Sequence, residues 1–264
     1  SLRVAAAVLA LALVGGACAG DPVGSEGAGE GGDAGARGEV TGTVRVFAAA
    51  SLTDAFGEIA AAFERRHPGA SVELSFDASS TLATQAAEGA PADVLATADE
   101  HTMAGAVDAG VTSSPPREVA RNALVLAVPP GNPGGVDGLS DLTDPDLFVG
   151  LCADEVPCGR LAGHVLADAG VAPAVDTREP NVRSLLTKLT AGELEAGLVY
   201  RTDAQAAGDR VEIVPVAGLE GRTTVLPVAP LDGGGNPGGG EAFVRFVLGR
   251  EGRQALAAAG FGEP

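Results

Sequence analysis

Four stretches place small polar residues where an apolar strand pattern gives way to a helical one. VFAAASLTDAF (46–56) ends a strand in alanines and reaches Ser51 just before Leu52, Phe56, Ile59 and Phe63, apolar positions at helical spacing. FDASSTLATQ (76–85) sets Ser79 and Ser80 between Phe76 and a helix opening near Thr81. CADEVPCGRLAGHVLADAG (152–170) puts Pro157 in a first-turn position, with Cys158 and Gly159 keeping the turn small. In EPNVRSLLTKL (179–189) Asn181 suits an N-cap and Val182 opens the helix. Taken singly, each junction is ordinary, and Ser51 with Asp54 three residues on reads as a capping box. Taken together they describe a chemistry. A helix N-terminus offers unpaired N–H groups and a partial positive charge. Several of them converging, with serine hydroxyls among them, make a socket for a small polyanion.

Tyr200 is a further candidate. It ends the apolar run GLVY and precedes the polar RTDA, so its ring can pack while its hydroxyl faces a cleft. The bland alternative is a core tyrosine bonded to a backbone carbonyl. Arg183, beside Val182, is the nearest charge and reads as structural, facing the sheet or a carboxylate.

Other chemistries find less support. A serine nucleophile needs a base, and His67, His101 and His164 stand apart in sequence from Ser51 and Ser79. A serine hydrolase therefore survives only as an alternative that spatial pairing would have to supply. There is no P-loop and no G-x-S-x-G elbow. None of the histidines has zinc-ligand spacing to the cysteines, so no metal site and no cofactor is expected. Asp154 and Glu155 read as a solvated loop pair.

The formal net charge of −18 argues against nucleic acid, which demands clustered Lys and Arg. It does not forbid a small anion. Backbone N–H groups, hydroxyls and helix dipoles bind a dianion without formal positive charge, and remote carboxylates are screened beyond roughly 8–10 Å. An acceptor carboxylate in the socket would favour a protonated ligand such as phosphate; no acid directly adjoins Ser51, Ser79 or Tyr200, and Asp77 and Asp203 are the ones to watch.

The elements that position these residues alternate. Candidate strands are 43–47, 72–76, 93–98, 123–128, 147–152, 196–200 and 211–216, with helices opening near Leu52, Thr81, Met103, Cys158, Val182 and Ala204. This rhythm predicts an α/β fold with parallel sheets, whose ligands sit at strand carboxyl ends facing helix N-termini. VPPGNPGG (128–135) stands where a lobe could change, and DGGGNPGGG (232–240) reads as a flexible loop before one last amphipathic helix. Aromatic residues make up only 3% of the chain, so Val, Leu, Ala and Phe must build the core.

Residues 1–19 form an apolar stretch behind Arg3, too short for a confident membrane span and suited to a secretory signal. LVGGAC resembles a lipoprotein box ending at Cys18, although Gly15 departs from the usual residue; Ala17-Cys18-Ala19 also fits ordinary cleavage. Residues 20–42, rich in Gly and acid, read as a tether. Outside the cytoplasm Cys152 and Cys158, close in sequence, are expected to pair, the alternative being two buried thiols.

At these same residues the chain resembles the molybdate-binding proteins of bacterial ABC transporters. The likeness runs through VFAAASLTDAF, FDASSTLATQAAEGAPADVLATAD (76–99), VPCG (156–159), NVRSLLTKLTAGELEAGLVYRTDA (181–204) and AAAGF (257–261). It implies two α/β lobes, 43–124 with 226–264 and 125–225, joined by two crossover strands that close on the ligand. It implies molybdate or tungstate held by the hydroxyls of Ser51, Ser79 and Tyr200 and by the N–H groups of Cys158 and Val182. Many relatives carry alanine where this chain has Cys158. It further implies no enzyme activity, a monomer, a membrane permease as partner, and a location outside the cytoplasm, lipid-anchored or else secreted or periplasmic. Sulfate or phosphate remains the alternative ligand class.

Overall fold

The computed structural model describes residues 39–264 apart from Glu220. The leader, Cys18 and most of the tether lie outside the described residues. Among the described residues no helix is long and apolar enough to cross a membrane.

The chain forms two α/β lobes. β1 (Gly42–Ala49), β2 (Ala70–Asp77) and β3 (Val94–Ala96) pair in parallel, with α1 (Thr53–Arg66), α2 (Ser79–Ala87) and α3 (Glu100–Asp108) between and after them. β4 (Arg117–Val128) then leaves this lobe. The second lobe holds β5 (Val149–Cys152), α4 (Pro157–Asp168), β6 (Thr177–Glu179), α5 (Val182–Thr190), β7 (Ala196–Tyr200), α6 (Arg201–Ala207) and β8 (Glu212–Val214). Here β5 pairs in parallel with β6 and β7. β9 (Thr223–Pro230) returns to the first lobe, followed by α7 (Pro237–Val247) and α8 (Arg250–Ala258). The sheet order is β2-β1-β3-β9-β4-β7-β5-β6, with β8 on β4.

The long strand β4 is the bridge. Its residues up to Ala123 pair antiparallel with β9, and from Leu124 onward they pair antiparallel with β7. The antiparallel pairings thus concentrate at the crossing strands, and the parallel ones lie inside each lobe. Parallel strands buried on both faces explain the apolar runs AGLVY and VGLC, every residue of which is buried.

The scarce aromatics are used together. Phe63 meets Phe243 and Phe246 edge-on at centroid distances of 5.2 and 5.5 Å, clamping α1 against α7. Several expectations need correction. β9 is the second crossover strand that the resemblance implies, but it is missing from the candidate strands because Pro227 and Pro230 mask its pattern; the register of β4 shifts between Glu118 and Ala120, opposite Pro227. The short polar strand β6 was unexpected. α2 opens at Ser79 and α3 at Glu100, earlier than the apolar spacing suggested. The expected last helix is two, broken at Gly249, where a Cβ would lie 3.1 Å from the Phe246 carbonyl oxygen.

Candidate functional site

The four helix starts do converge. Ser51, Ser79, Cys158, Val182 and Tyr200 all line one pocket of about 220 Å³ including its open mouth. Its walls are otherwise mostly small and apolar, with Ala49, Ala50, Ala78 and Ala98 prominent. Those alanines leave the space that larger residues would fill.

Ser51 lies in a single 3-10 turn (Ala50–Leu52) between β1 and α1. The capping reading of Ser51 is not met: the N-cap of α1 is Leu52, with no side-chain cap. Ser51 Oγ is buried and has no protein hydrogen-bond partner. Such a group costs roughly 1–3 kcal/mol unless something else satisfies it. Ser79 differs. Its Oγ accepts the N–H of Ala98 at 2.9 Å, which leaves its own proton to donate elsewhere.

Neither α2 nor α4 has a side-chain N-cap, so their first N–H groups stay unpaired by side chains. At α5 the Asn181 side chain accepts the Ser184 N–H, serving one donor, and Val182 lines the pocket. The α4 turn is built tightly. Cys152 and Cys158 form a disulfide with Cα atoms 5.8 Å apart. A Cβ at Gly159 would lie 1.9 Å from the Ala153 carbonyl oxygen, so only glycine lets the backbone close there.

Tyr200 ends β7 with its ring packed and its hydroxyl buried and unpartnered. Burial, chiefly, and then the charges of Asp99 and Asp203 push its ionisation well above the ordinary tyrosine range. The hydroxyl therefore remains a proton donor at physiological pH. The buried Ser51 and Tyr200 hydroxyls lack protein partners, Ser79 keeps a proton to donate, and α2 and α4 open at the pocket without side-chain caps.

One carboxylate belongs to the lining. Asp77 Oδ1 accepts from the Ala78 N–H at 2.7 Å and from Asn181 Nδ2 at 3.0 Å, so that oxygen is committed. Asp203 is not in the lining. It is fully buried behind it, with Arg183 Nε 3.0 Å from its Oδ1 but not directed at it as a hydrogen bond. Burial raises its pKa to about 7, against the pull of Arg183 and with added repulsion from Asp54. Arg183 also pairs with Asp54, so it faces carboxylates as expected. Sequence reasoning did not find Asp99, which caps α3 through the Thr102 N–H, or Arg160, which binds it. An aspartate standing just before the helical run Glu100–Asp108 was the available local signal for the cap; the partnership with Arg160 had none. Among the described residues no cluster of three or more His, Cys, Asp or Glu could hold a metal ion.

Comparison with known proteins agrees with this architecture. Residues 44–262 match the family described as bacterial extracellular solute-binding protein. The molybdate-binding protein ModA of Mycobacterium tuberculosis is 36% identical over 222 residues, 84% of this chain and 85% of that protein. Among solved structures, the periplasmic molybdate-binding protein of Azotobacter vinelandii superposes with a TM-score of 0.69 at 19% identity, over 84% of this chain and 99% of that one. The sulfate-binding protein SubI of Mycobacterium tuberculosis gives 0.72 at 21% identity, over 83% and 86%. These relatives are solute-binding proteins and not enzymes. By this family match and this identity, the chain belongs to the bacterial extracellular solute-binding protein family, alongside molybdate-binding members.

Proposed function

We propose that this protein captures molybdate, or its near-isostere tungstate, outside the cytoplasm and delivers it to the membrane permease of an ABC importer. One observation carries the reading: buried hydroxyls without protein partners, Ser51 Oγ and Tyr200 OH, meet helix N-termini free of side-chain caps in one small pocket. A ligand that accepts hydrogen bonds on all sides and carries negative charge is what such a surface lacks. The curated relatives' names supply molybdate as the ligand.

In this reading Ser51, Ser79 and Tyr200 donate through hydroxyls, and Cys158 and Val182 through backbone N–H groups. The lobes are 43–124 with 226–264 and 125–225, and the change of pairing partner within β4 supports a boundary there. They close on the oxyanion by bending at β4 and β9. The protein works as a monomer, held to the outer face of the membrane by a lipid on Cys18 through the tether.

Asp77 favours a second reading. A carboxylate in the lining can accept a hydrogen bond from the P–OH of a ligand such as hydrogen phosphate, a donor that fully deprotonated molybdate lacks. Calorimetric titration with molybdate, tungstate, sulfate and phosphate separates these. Submicromolar molybdate binding with little response to sulfate or phosphate is expected; equal affinity for sulfate ends the molybdate assignment, and a preference for phosphate installs the second reading.

A further inference from the structure

The rim of the pocket is crossed by three polar contacts with one polarity. Asn181 Nδ2 donates to Asp77 Oδ1 at 3.0 Å. Arg160 Nε and Nη2 both donate to Asp99 Oδ2, at 3.0 and 2.6 Å, and Nη2 also reaches Thr102 Oγ1 at 2.7 Å. Arg183 Nη2 donates to Asp54 Oδ2. Each acceptor lies in segment 43–124 and each donor in segment 125–225. The partners are 104, 61 and 129 residues apart in sequence, and all lie at or beside the pocket lining. Asp99 follows the lining residue Ala98, Arg160 stands two residues after Cys158, and Arg183 follows Val182.

The Arg160 contact is the most developed. Arg160 and Asp99 side chains are 22% and 15% exposed, against 30% and 58% for Arg183 and Asp54. The guanidinium is also braced on its own side by the Glu155 carbonyl, so it is aimed before Asp99 meets it. Asp99 is equally fixed, because its other oxygen caps α3. A charge-assisted pair between two pre-oriented groups loses little side-chain entropy on forming. It cannot exist when the lobes are apart.

We propose that Arg160 and Asp99 form a latch that holds the lobes closed over the ligand, so that both are positioning residues for binding although neither lines the pocket. The proposal rests on the two-lobe solute-capture reading. A latch of this kind stabilises the closed state alone, and the ligand's measured affinity scales with how well that state is populated. Its loss therefore appears in release of the ligand, while the donor groups around the anion stay in place. The Arg183–Asp54 pair is a weaker second clasp, since Asp54 is mostly in solvent.

The test uses the full chain, Asp99→Asn, Arg160→Gln and the double variant. Bound molybdate is chased with excess unlabelled anion, and ligand-free protein is measured by small-angle scattering. Each single variant should release molybdate faster by about three- to tenfold. The double variant should be no faster than the singles, because one interaction has been removed twice. Ligand-free Asp99→Asn should be more extended than the wild type, with a larger radius of gyration. If the wild type binds no molybdate, the functional reading fails and the scattering comparison alone decides the latch. Identical release rates, or with no molybdate binding identical ligand-free profiles, overturn the latch, as does full additivity in the double variant.

Discussion

Two fully buried aspartates, one in each lobe, show how differently the same group can be used. Asp93 lies between β1 and the start of α7, and both its oxygens are engaged. Oδ2 accepts the Arg45 N–H at 2.7 Å and Oδ1 the Asn236 N–H at 2.6 Å. Its own backbone N–H and C=O continue the ties, to Arg45 and Leu231. The glycine-rich stretch 232–240 is shaped around it: a Cβ at Gly234 would lie 2.0 Å from Asp93 Oδ1, and one at Gly240 2.6 Å from its carbonyl oxygen. Asp203, in the second lobe, has no well-formed hydrogen bond on either oxygen, with Arg183 beside it as counter-charge and Asp54 adding repulsion. The first carboxylate is a structural anchor whose burial is satisfied. The second is buried and left to depend on an arginine that also reaches across the pocket.

Breaking the anchor should have the largest effect. Asp93→Ala strands two buried N–H groups that now bond to a charge, each worth roughly 1.5–3 kcal/mol. Urea unfolding of the ligand-free protein should show a loss of about 3–6 kcal/mol. A loss below about 1 kcal/mol would mean water or a shifted loop replaces the carboxylate, and the contrast with Asp203 would collapse.

Asp203 should act through pH. Its folded pKa of about 7 lies above its ordinary 3.8, so the folded state keeps a proton that the unfolded chain gives up. Its contribution to stability is therefore full below pH 3.8, is lost as pH rises toward about 7, and is level above that. At 1.36 kcal/mol per pKa unit, the span is at most about 4 kcal/mol. Asp203→Asn removes this term, so its stability relative to the wild type should climb between pH 4.5 and pH 8. Unfolding midpoints that run parallel for the two proteins across that range would sink the assignment.

The same contrast of satisfied and unsatisfied groups recurs at the two serines, on a smaller scale. Both hydroxyls should contribute roughly 1.5–3 kcal/mol to anion binding, a tenfold to more than hundredfold change in Kd on replacement by alanine. Their effects on the ligand-free protein should diverge. Ser51→Ala removes a buried hydroxyl with no partner and should leave stability unchanged or raised. Ser79→Ala orphans the Ala98 N–H and should cost about 1–3 kcal/mol. Thermal melts without ligand, read beside calorimetric Kd values, check both halves; equal melts for the two variants would erase the distinction.

What the sequence made legible follows from the same physics. The pocket residues stand at strand-to-helix junctions, and such junctions are local: small residues, Asn181, Pro157 and the apolar spacing after them are all visible within a dozen positions. Cys152 and Cys158 are close enough that their pairing was local too. Where partners are distant, legibility ended. Nothing near Arg160 announces Asp99, 61 residues earlier. DGGGNPGGG, with its string of glycines, reads as a flexible loop. Its glycines instead serve close approach to Asp93 and Asn236, and α7 opens at Pro237 inside the stretch. β9 hid behind its prolines, though it carries half of the crossing between lobes.

The smallest effect expected should come from a backbone donor, and it tests the second lobe's share of the pocket. The first lobe offers the hydroxyls of Ser51 and Ser79, which alanine deletes. At Val182 the proposed donor is an N–H, which only proline removes. The position tolerates it: Val182 is the first residue of α5, where proline's fixed φ suits the helix. Asn181 before it is extended, with φ −157° and ψ 170°, the conformation a pre-proline residue requires. Val182 is nearly fully buried, so some packing is lost, and Val182→Ala serves as the control that loses packing but keeps the N–H. The neighbouring Arg183 N–H remains in the same first turn and can take over part of the contact, which places the cost near the low end, about 1.5 kcal/mol or roughly tenfold in Kd. Val182→Pro should thus bind molybdate about tenfold more weakly than Val182→Ala, with a similar melting temperature. If the two variants bind alike, the Val182 N–H does not hold the anion, and the second lobe contributes through Cys158 and Tyr200 alone.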